Sequence, residues 1–344
     1  MLLSIIVPFY NAEACIERCL NSLVNQNLNT DNYEIILIND GSTDNGLHVI
    51  EAFKKKHHNI NIYSQANHGL GATRNIGITL AKGEYIYFID ADDYLAFNTL
   101  DVILNCQIKF DLDVLGFLSL PTYKLDLFNS KTKQLTKDIE VLKGTDFLIK
   151  NKHHDLGACW YLIKRSFLLN TGFKFVEGKF FEDVVFTFNI FLRSKRAAFL
   201  PIDAHRYVET QTSITNNDNP EHLKKIIEDY TSLIYSLNVL IEEVLKENDS
   251  NASTIIKNIE FKRSVNIYFM FYKIIKSNIS VKRINDLLKA FNKINVYPLN
   301  NFIGDQYFHR KFKITVFIFN HKYLFFLLLY PLRFFYKLGL IKLL

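Results

Sequence analysis

The sequence predicts an α/β protein with a Rossmann-like, mostly parallel sheet covered by helices on both faces, followed by a helical C-terminal region. Three observations predict it. Short apolar runs at Leu3–Phe9, Tyr33–Ile38, Ile60–Tyr63 and Tyr85–Ile89 begin 25 to 30 residues apart, the size of a strand–helix–strand unit. Between them, apolar residues recur at helical spacing: Ala14, Ile16, Leu20, Leu23 and Val24 in one stripe, Leu47, Val49, Ile50 and Phe53 in the next. Ile35-Ile36-Leu37-Ile38 is apolar at every position, as a strand buried on both faces requires.

At 344 residues the chain can bury one large core or two ordinary ones, and 49% hydrophobic against 22% charged residues excludes a disordered chain. The net charge of +6 is local. Residues 301–344 hold seven Lys/Arg and one acid, Asp305, whereas the first 300 residues balance at 34 basic against 34 acidic. This argues against a nucleic-acid groove in the body and for an anionic partner at the end. Cys15, Cys19, Cys106 and Cys159 show neither Cys-x-x-Cys nor Cys/His ligand spacing and read as free thiols of a reducing compartment. Met1–Pro8 runs into a strand without a basic leader, so a cytoplasmic protein is expected.

Ligands of such sheets bind beyond the carboxyl ends of the strands, and here every end is polar. The first ends in Pro8-Phe9-Tyr10-Asn11 and the second in Asn39-Asp40-Gly41-Ser42-Thr43-Asp44. The third leads to Asn67-His68-Gly69-Leu70-Gly71-Ala72-Thr73-Arg74-Asn75, and the fourth ends in Asp90-Ala91-Asp92-Asp93. Each alone has a plain reading: a turn at Asp40-Gly41-Ser42, a helix cap at Ser42 or Asp44, an exposed Arg74, an acidic turn before a helix near Phe97. Together, on adjacent strand tips, they read as one site. Clustered aspartates repel unless a cation neutralises them, and Mn²⁺ or Mg²⁺ is usually held by one or two carboxylates plus substrate phosphates. Neither Gly-x-Gly-x-x-Gly after the first strand nor a P-loop occurs, so a nucleotide diphosphate here needs a metal. Asp90 and Asp92 are the candidates to hold it; Asp93 is expected to start the next helix.

These motifs, with Lys82-Gly83-Glu84-Tyr85 and Phe181-Glu182-Asp183-Val184-Val185-Phe186, resemble in order and spacing the series of family 2 glycosyltransferases with a GT-A fold. The resemblance covers roughly residues 1–215 and is greatest to bacterial enzymes of capsular polysaccharide, exopolysaccharide and lipopolysaccharide synthesis. It implies that Asp90 and Asp92 hold the divalent ion on the diphosphate of a sugar nucleotide, most often a UDP-sugar. It further implies that Asp40 contacts the base, that Arg74 lies beside the nucleotide, and that Pro8, Tyr10 and Asn11 run along the nucleoside. Asp183 matches the catalytic base and Glu182 its neighbour. Asn39 departs from the pattern, where many relatives carry a second Asp. His205, Arg206, Tyr207 and Thr212–Thr215 resemble the part that closes over the donor.

An inverting transfer needs a base on the acceptor side and the metal on the leaving-group side, so the two come from distant parts of the chain, as Asp183 and Asp92 do. Without the resemblance, Glu182-Asp183 reads as the acidic first turn of a helix. Trp160 and Tyr161 are candidates for stacking on an acceptor sugar, with a core role as the alternative. A non-catalytic nucleotide-binding or membrane-associated module is the competing function; a nucleotidyltransferase would show a Gly-rich N-terminal phosphate loop.

Three regions are expected: a catalytic domain over 1–215, a helical appendage over 216–300 and a C-terminal segment over 301–344. The appendage shows helical patterns through Leu223–Lys246, Ile255–Lys276 and Val281–Lys293. In the last segment Tyr323–Leu332 is an uncharged run of ten, too short for the roughly twenty residues a membrane span needs. At about 100° per residue, Lys322, Arg333 and Lys337 share one face. Such a helix suits an anionic membrane surface, on the inner face of the cell membrane, with packing on the protein or in a homo-oligomer as the alternative.

Overall fold

The computed structural model describes residues 1–132, 139–151, 157–210, 217–246, 250–299 and 310–343. The chain divides into two compact units, Met1–Thr210 and Gln211–Leu344, so the second and third expected regions fall in one unit.

In the first unit β1 (Leu3–Phe9), β2 (Tyr33–Asp40), β3 (Ile60–Gln65) and β4 (Tyr85–Phe88) form the parallel half, β1 lying between β2 and β4. The crossovers are α1 (Ile16–Val24), α2 (Gly46–Lys54) and α3 (Leu70–Leu80). Every residue of β1 and β2 is buried, which is why their sequences do not alternate. Gly77 lets α3 lie close on the sheet: a Cβ there would come within 2.4 Å of the Ile6 side chain.

Beyond β4 the sheet becomes mixed. The following elements are β5 (Tyr94–Leu95), α4 (Leu100–Lys109), β6 (Val114–Thr122), α5 (Gly144–Lys150), β7 (Tyr161–Lys164), α6 (Arg165–Thr171), α7 (Glu182–Arg193) and β8 (Ala197–Val208). The strand order is β3-β2-β1-β4-β7-β6-β8-β5. β7 runs antiparallel to both β4 and β6, β8 runs parallel to β6, and β5 runs antiparallel to β8. The short β5 takes the place where the sequence suggested a helix directly after the aspartates. The tips of β1 to β4 lie side by side, as the sequence pattern requires.

The second unit contains α8 (Pro220–Lys246), α9 (Ala252–Lys276), α10 (Val281–Lys293), α11 (Arg310–Asn320) and α12 (Lys322–Lys337). Its centre is aromatic: Phe271 stacks on Phe319 at 4.5 Å and meets the edge of Phe325 at 5.0 Å. Arg333, expected on a basic face with Lys322 and Lys337, turns inward instead. Its guanidinium donates to the carbonyls of Ile274 (3.1 Å) in the last turn of α9 and Ile279 (2.9 Å) in the loop that follows. Phe325 and Leu329 are buried on the same side of α12, and Tyr336 donates to Asp218. The other side, Tyr323, Leu327, Tyr330, Phe334 and Leu338, is exposed. Among the described residues no single helix is long and apolar enough to cross a membrane, and α11 and α12 meet at a 110° bend.

Candidate active site

The loops after β1 and β2 are laced together. Asn11 adopts a left-handed conformation (φ 50°), donates its N–H to Ser42 Oγ (3.0 Å) and accepts from the Thr43 N–H (2.8 Å). The turn between them bends at Gly41 (φ 78°), where a Cβ would press within 2.9 Å of the Asn67 backbone. Asp40 is buried. Its oxygens accept from the N–H groups of His68 (2.9 Å) and Gly69 (2.8 Å) and from the Gln65 amide (2.7 Å), drawing the loop before α3 onto the β2 tip. Pro8 is buried within β1, while Tyr10, 52% exposed, stands beyond the strand end. Tyr10 and Asn11 are therefore the open residues of this wall; Pro8 and Asp40 shape it from behind.

The acid turn is fixed from several directions. The Asp93 N–H donates to the Asp90 carbonyl (3.1 Å), and Arg18 on α1 donates to the Asp92 carbonyl (2.6 Å). Asp93 does not start a helix. It is buried, accepts from the Val208 N–H (2.8 Å) and faces His205 Nε2 at 3.2 Å, because β5 follows it and must be joined to β8. Asp92 is half-buried, and burial, reinforced by the charges of Asp93 and Asp90, pushes its pKa up to about 7. A site so burdened with negative charge fits a divalent cation, which would restore Asp92 to its ionised form. Asp90 already meets Arg74 at 2.7 Å, which leaves Asp92 the carboxylate of the pair better suited to a divalent cation such as Mn²⁺ or Mg²⁺. Among the described residues no cluster of three or more His, Cys, Asp or Glu is placed to hold a metal.

Arg74 connects this turn to the acidic end of α7. It is 2% exposed; Nη1 donates to Glu182 at 2.5 Å, Nη2 to Asp90 at 2.7 Å, and the guanidinium lies 5.3 Å from the Phe175 ring. Burial opposes its charge, but Asp90 and Glu182 outweigh that and hold its pKa above the usual arginine value. The plain reading of Arg74 as an exposed residue is therefore corrected: the guanidinium is enclosed and bonded to two carboxylates. Asn75, the next residue, clamps the Phe175 backbone by accepting its N–H (2.9 Å) and donating to its carbonyl (3.0 Å). That clamp fastens the segment leading into α7 to α3. Phe181 then takes a left-handed conformation (φ 64°), and the first turn of α7 presents Glu182 and Asp183. Burial pushes Glu182 up to about 7 against the pull of Arg74. It also raises Asp183, with Arg74 opposing and Asp90 adding to the shift.

The acceptor candidates separate. Tyr161 is 4% exposed and packs edge-on against Phe191 at 5.0 Å, so it belongs to the core. Trp160 is half-buried with its indole over Gly157 and keeps an open part. Tyr207, at the end of β8, is partly exposed; burial and then the charges of Asp93, Asp92 and Asp90 push its hydroxyl up to about 12. Thr212–Thr215 lie outside the described residues. Sequence reasoning missed Arg18, the partnership of Arg74 with Glu182 and that of Asp93 with His205. The last two leave a trace only as charged residues within otherwise apolar stretches.

Strand tips that gather an acid turn, facing an acidic helix end joined to it by one arginine, define a protein of the nucleotide-sugar-handling GT-A class. The chain belongs to glycosyl transferase family 2, whose sequence model matches residues 4–178. It is 33% identical over 234 residues to the uncharacterized glycosyltransferase EpsJ of Bacillus subtilis, covering 65% of this chain and 67% of that one. It is 36% identical over 200 residues to a poly(ribitol-phosphate) beta-glucosyltransferase of Bacillus spizizenii, covering 57% of this chain but 30% of the relative's length. Residues 1–349 of TarS from S. aureus, solved with UDP-GlcNAc, share the fold at a TM-score of 0.68 and 18% identity, over 98% of this chain and 92% of that one.

The buried bridge predicts a stability effect. Arg74→Met leaves the enclosed Glu182 and the half-buried Asp90 without their cation and should cost roughly 3–5 kcal/mol of unfolding free energy in urea titrations. Arg74→Lys should recover only part of it, since an ammonium cannot reproduce the fork that reaches both acids.

Proposed function

We propose that the chain is an inverting, metal-dependent glycosyltransferase, of the hexosyl or N-acetylhexosaminyl type. It takes a sugar from a UDP-sugar and delivers it to a hydroxyl of a glycan or lipid-linked glycan in cell-surface polysaccharide synthesis. The observation that carries this reading is the Asp90–Arg74–Glu182 bridge. It ties the aspartates suited to the leaving diphosphate to the helix turn that bears the base. The fold shared with TarS, which was solved with UDP-GlcNAc, supports a uridine donor.

In this mechanism Tyr10 and Asn11 line the nucleoside, with Asp40 holding the wall behind them. Asp92 and Asp90 face the diphosphate. The chemistry a bound Mn²⁺ or Mg²⁺ supplies there is neutralisation of the charge gathering on the departing nucleotide. Asp183 accepts the proton of the acceptor hydroxyl as that oxygen bonds to the anomeric carbon and the bond to the diphosphate breaks, releasing UDP. Glu182, held by Arg74, keeps the first turn of α7 in place, and Trp160 offers a surface for an acceptor sugar.

The C-terminal segment over 301–344 is assigned to an anionic membrane surface on the cytoplasmic side. One side of α12 is engaged by α9, while the opposite side presents Tyr323, Leu327, Tyr330, Phe334 and Leu338. Residues 310–343 carry Lys and Arg and no acid. An exposed apolar row on a wholly basic segment is the composition of a helix lying in a bilayer interface, not across it.

Two outcomes test these assignments. Asp183→Asn should lower turnover by about 10²–10⁴-fold with folding intact. In the parent enzyme kcat/KM should fall as pH drops through a midpoint above 3.8, because the base works only when ionised and its pKa is raised. A limb at or below that value, or full activity of Asp183→Asn, contradicts the base assignment. Separately, the chain should float with vesicles containing phosphatidylglycerol and fail to do so as Leu327→Glu/Phe334→Glu; equal flotation of both proteins refutes the lipid-facing row.

A further inference from the structure

Three described contacts hold the acid turn from different elements: Arg74 of α3 on the Asp90 side chain, Arg18 of α1 on the Asp92 carbonyl, and β8 on Asp93. The third is the least expected. Asp93 and His205 are both fully enclosed, at 1% and 0% exposure, so the imidazole is held against the acid with no solvent between them. His205 Nε2 lies 3.2 Å from Asp93 Oδ2, and its Nδ1 lies 2.8 Å from Ser119 Oγ of β6. Ser119 hydrogen-bonds one ring nitrogen, and the other approaches Asp93 as a close acid–imidazole contact outside hydrogen-bond geometry. The chain of contacts runs from β6 through the imidazole of β8 to the acid turn. The other Asp93 oxygen accepts from the Val208 N–H at 2.8 Å, so the carboxylate is fixed in rotation as well as in place. Its own N–H closes the turn on the Asp90 carbonyl at 3.1 Å, and the residues between these anchors are Ala91 and Asp92.

We propose that His205 is a positioning residue for the donor site: acting through Asp93, it fixes the direction in which the acid turn presents the Asp92 carboxylate to the metal and diphosphate. This rests on the assignment of Asp90 and Asp92 to that role. The turn 90–93 is short, and a residue that rotates Asp93 rotates the peptide that carries Asp92. Partners that orient a ligand without touching the ion typically change metal affinity by about 10–100-fold when removed. His205 stands in that relation to the site, one residue removed from it.

The test is Mn²⁺-dependent UDP binding by calorimetry at a temperature where all variants are folded, with melting followed in parallel. His205→Phe, which fills the cavity without a donor, should weaken Mn²⁺-dependent UDP binding by about 10-fold, and raise the donor KM by a similar factor while the acceptor KM stays unchanged. His205→Gln, whose amide can donate to Asp93, should recover most of the loss even if it melts no higher than His205→Phe. Should His205→Phe fail to fold, Ser119→Ala carries the test. It leaves the imidazole in place but removes its hydrogen-bond partner, and it should weaken binding in the same direction. Variants that lose thermal stability yet bind Mn²⁺ and UDP as the parent does overturn the positioning role and leave the donor site standing. A parent protein that binds no UDP in the presence of Mn²⁺ overturns the donor-site assignment and this role with it.

Discussion

The guanidinium of Arg74 sits between carboxylates that come from opposite ends of the α/β unit in sequence, and much of the site depends on that placement. Asp90 follows a strand of the parallel half; Glu182 opens a helix 108 residues beyond Arg74. Burying the arginine and Glu182 is costly, and the two Nη groups of Arg74 offset it by pairing with both acids. The arrangement fixes the acid turn after β4 relative to the first turn of α7, the two surfaces to which the proposed reaction assigns the leaving group and the attacking hydroxyl. Asn75 strengthens the coupling by clamping the Phe175 backbone, so that α3 carries both the cation and the fastening of the segment before α7.

The electrostatics of the site follow from this geometry. Asp90 has its cation nearby, whereas Asp92 has burial and two like charges, and its pKa is raised for that reason. The two aspartates of one motif are therefore unequal: one is bonded to Arg74 and the other is held among like charges. A similar division holds between Glu182, bonded to Arg74, and Asp183 beside it, which stays half-buried. In each pair the structural acid makes the neighbouring acid available.

What was legible in the sequence was whatever rests on local periodicity. The all-apolar β2, the spacing of the strands and the polar strand tips led to the parallel half and to the edge where the site lies. The mixed half was not legible, because β5 is two residues long and owes its existence to pairing with β8 more than a hundred residues later. For the same reason Asp93 read as a helix start: nothing local distinguishes a capping aspartate from one that faces a distant imidazole. Arg74 read as exposed because its partners come from elsewhere in the chain. At the other end, α12 carries the basic, aromatic composition the sequence displayed, but Arg333 faces inward to α9, a choice made by tertiary packing and invisible to a helical wheel.

The central claim is that Arg74 makes Asp90 and Glu182 one unit, and a double-mutant cycle on transfer from a UDP-sugar measures it directly. Asp90→Asn, Glu182→Gln and the combined variant should show an interaction energy of about 1–3 kcal/mol in kcat/KM, the pair losing less than the sum of the single losses. Effects that add to within about 0.3–0.5 kcal/mol would mean that the two carboxylates act independently and that the buried bridge does not couple the donor side to the base.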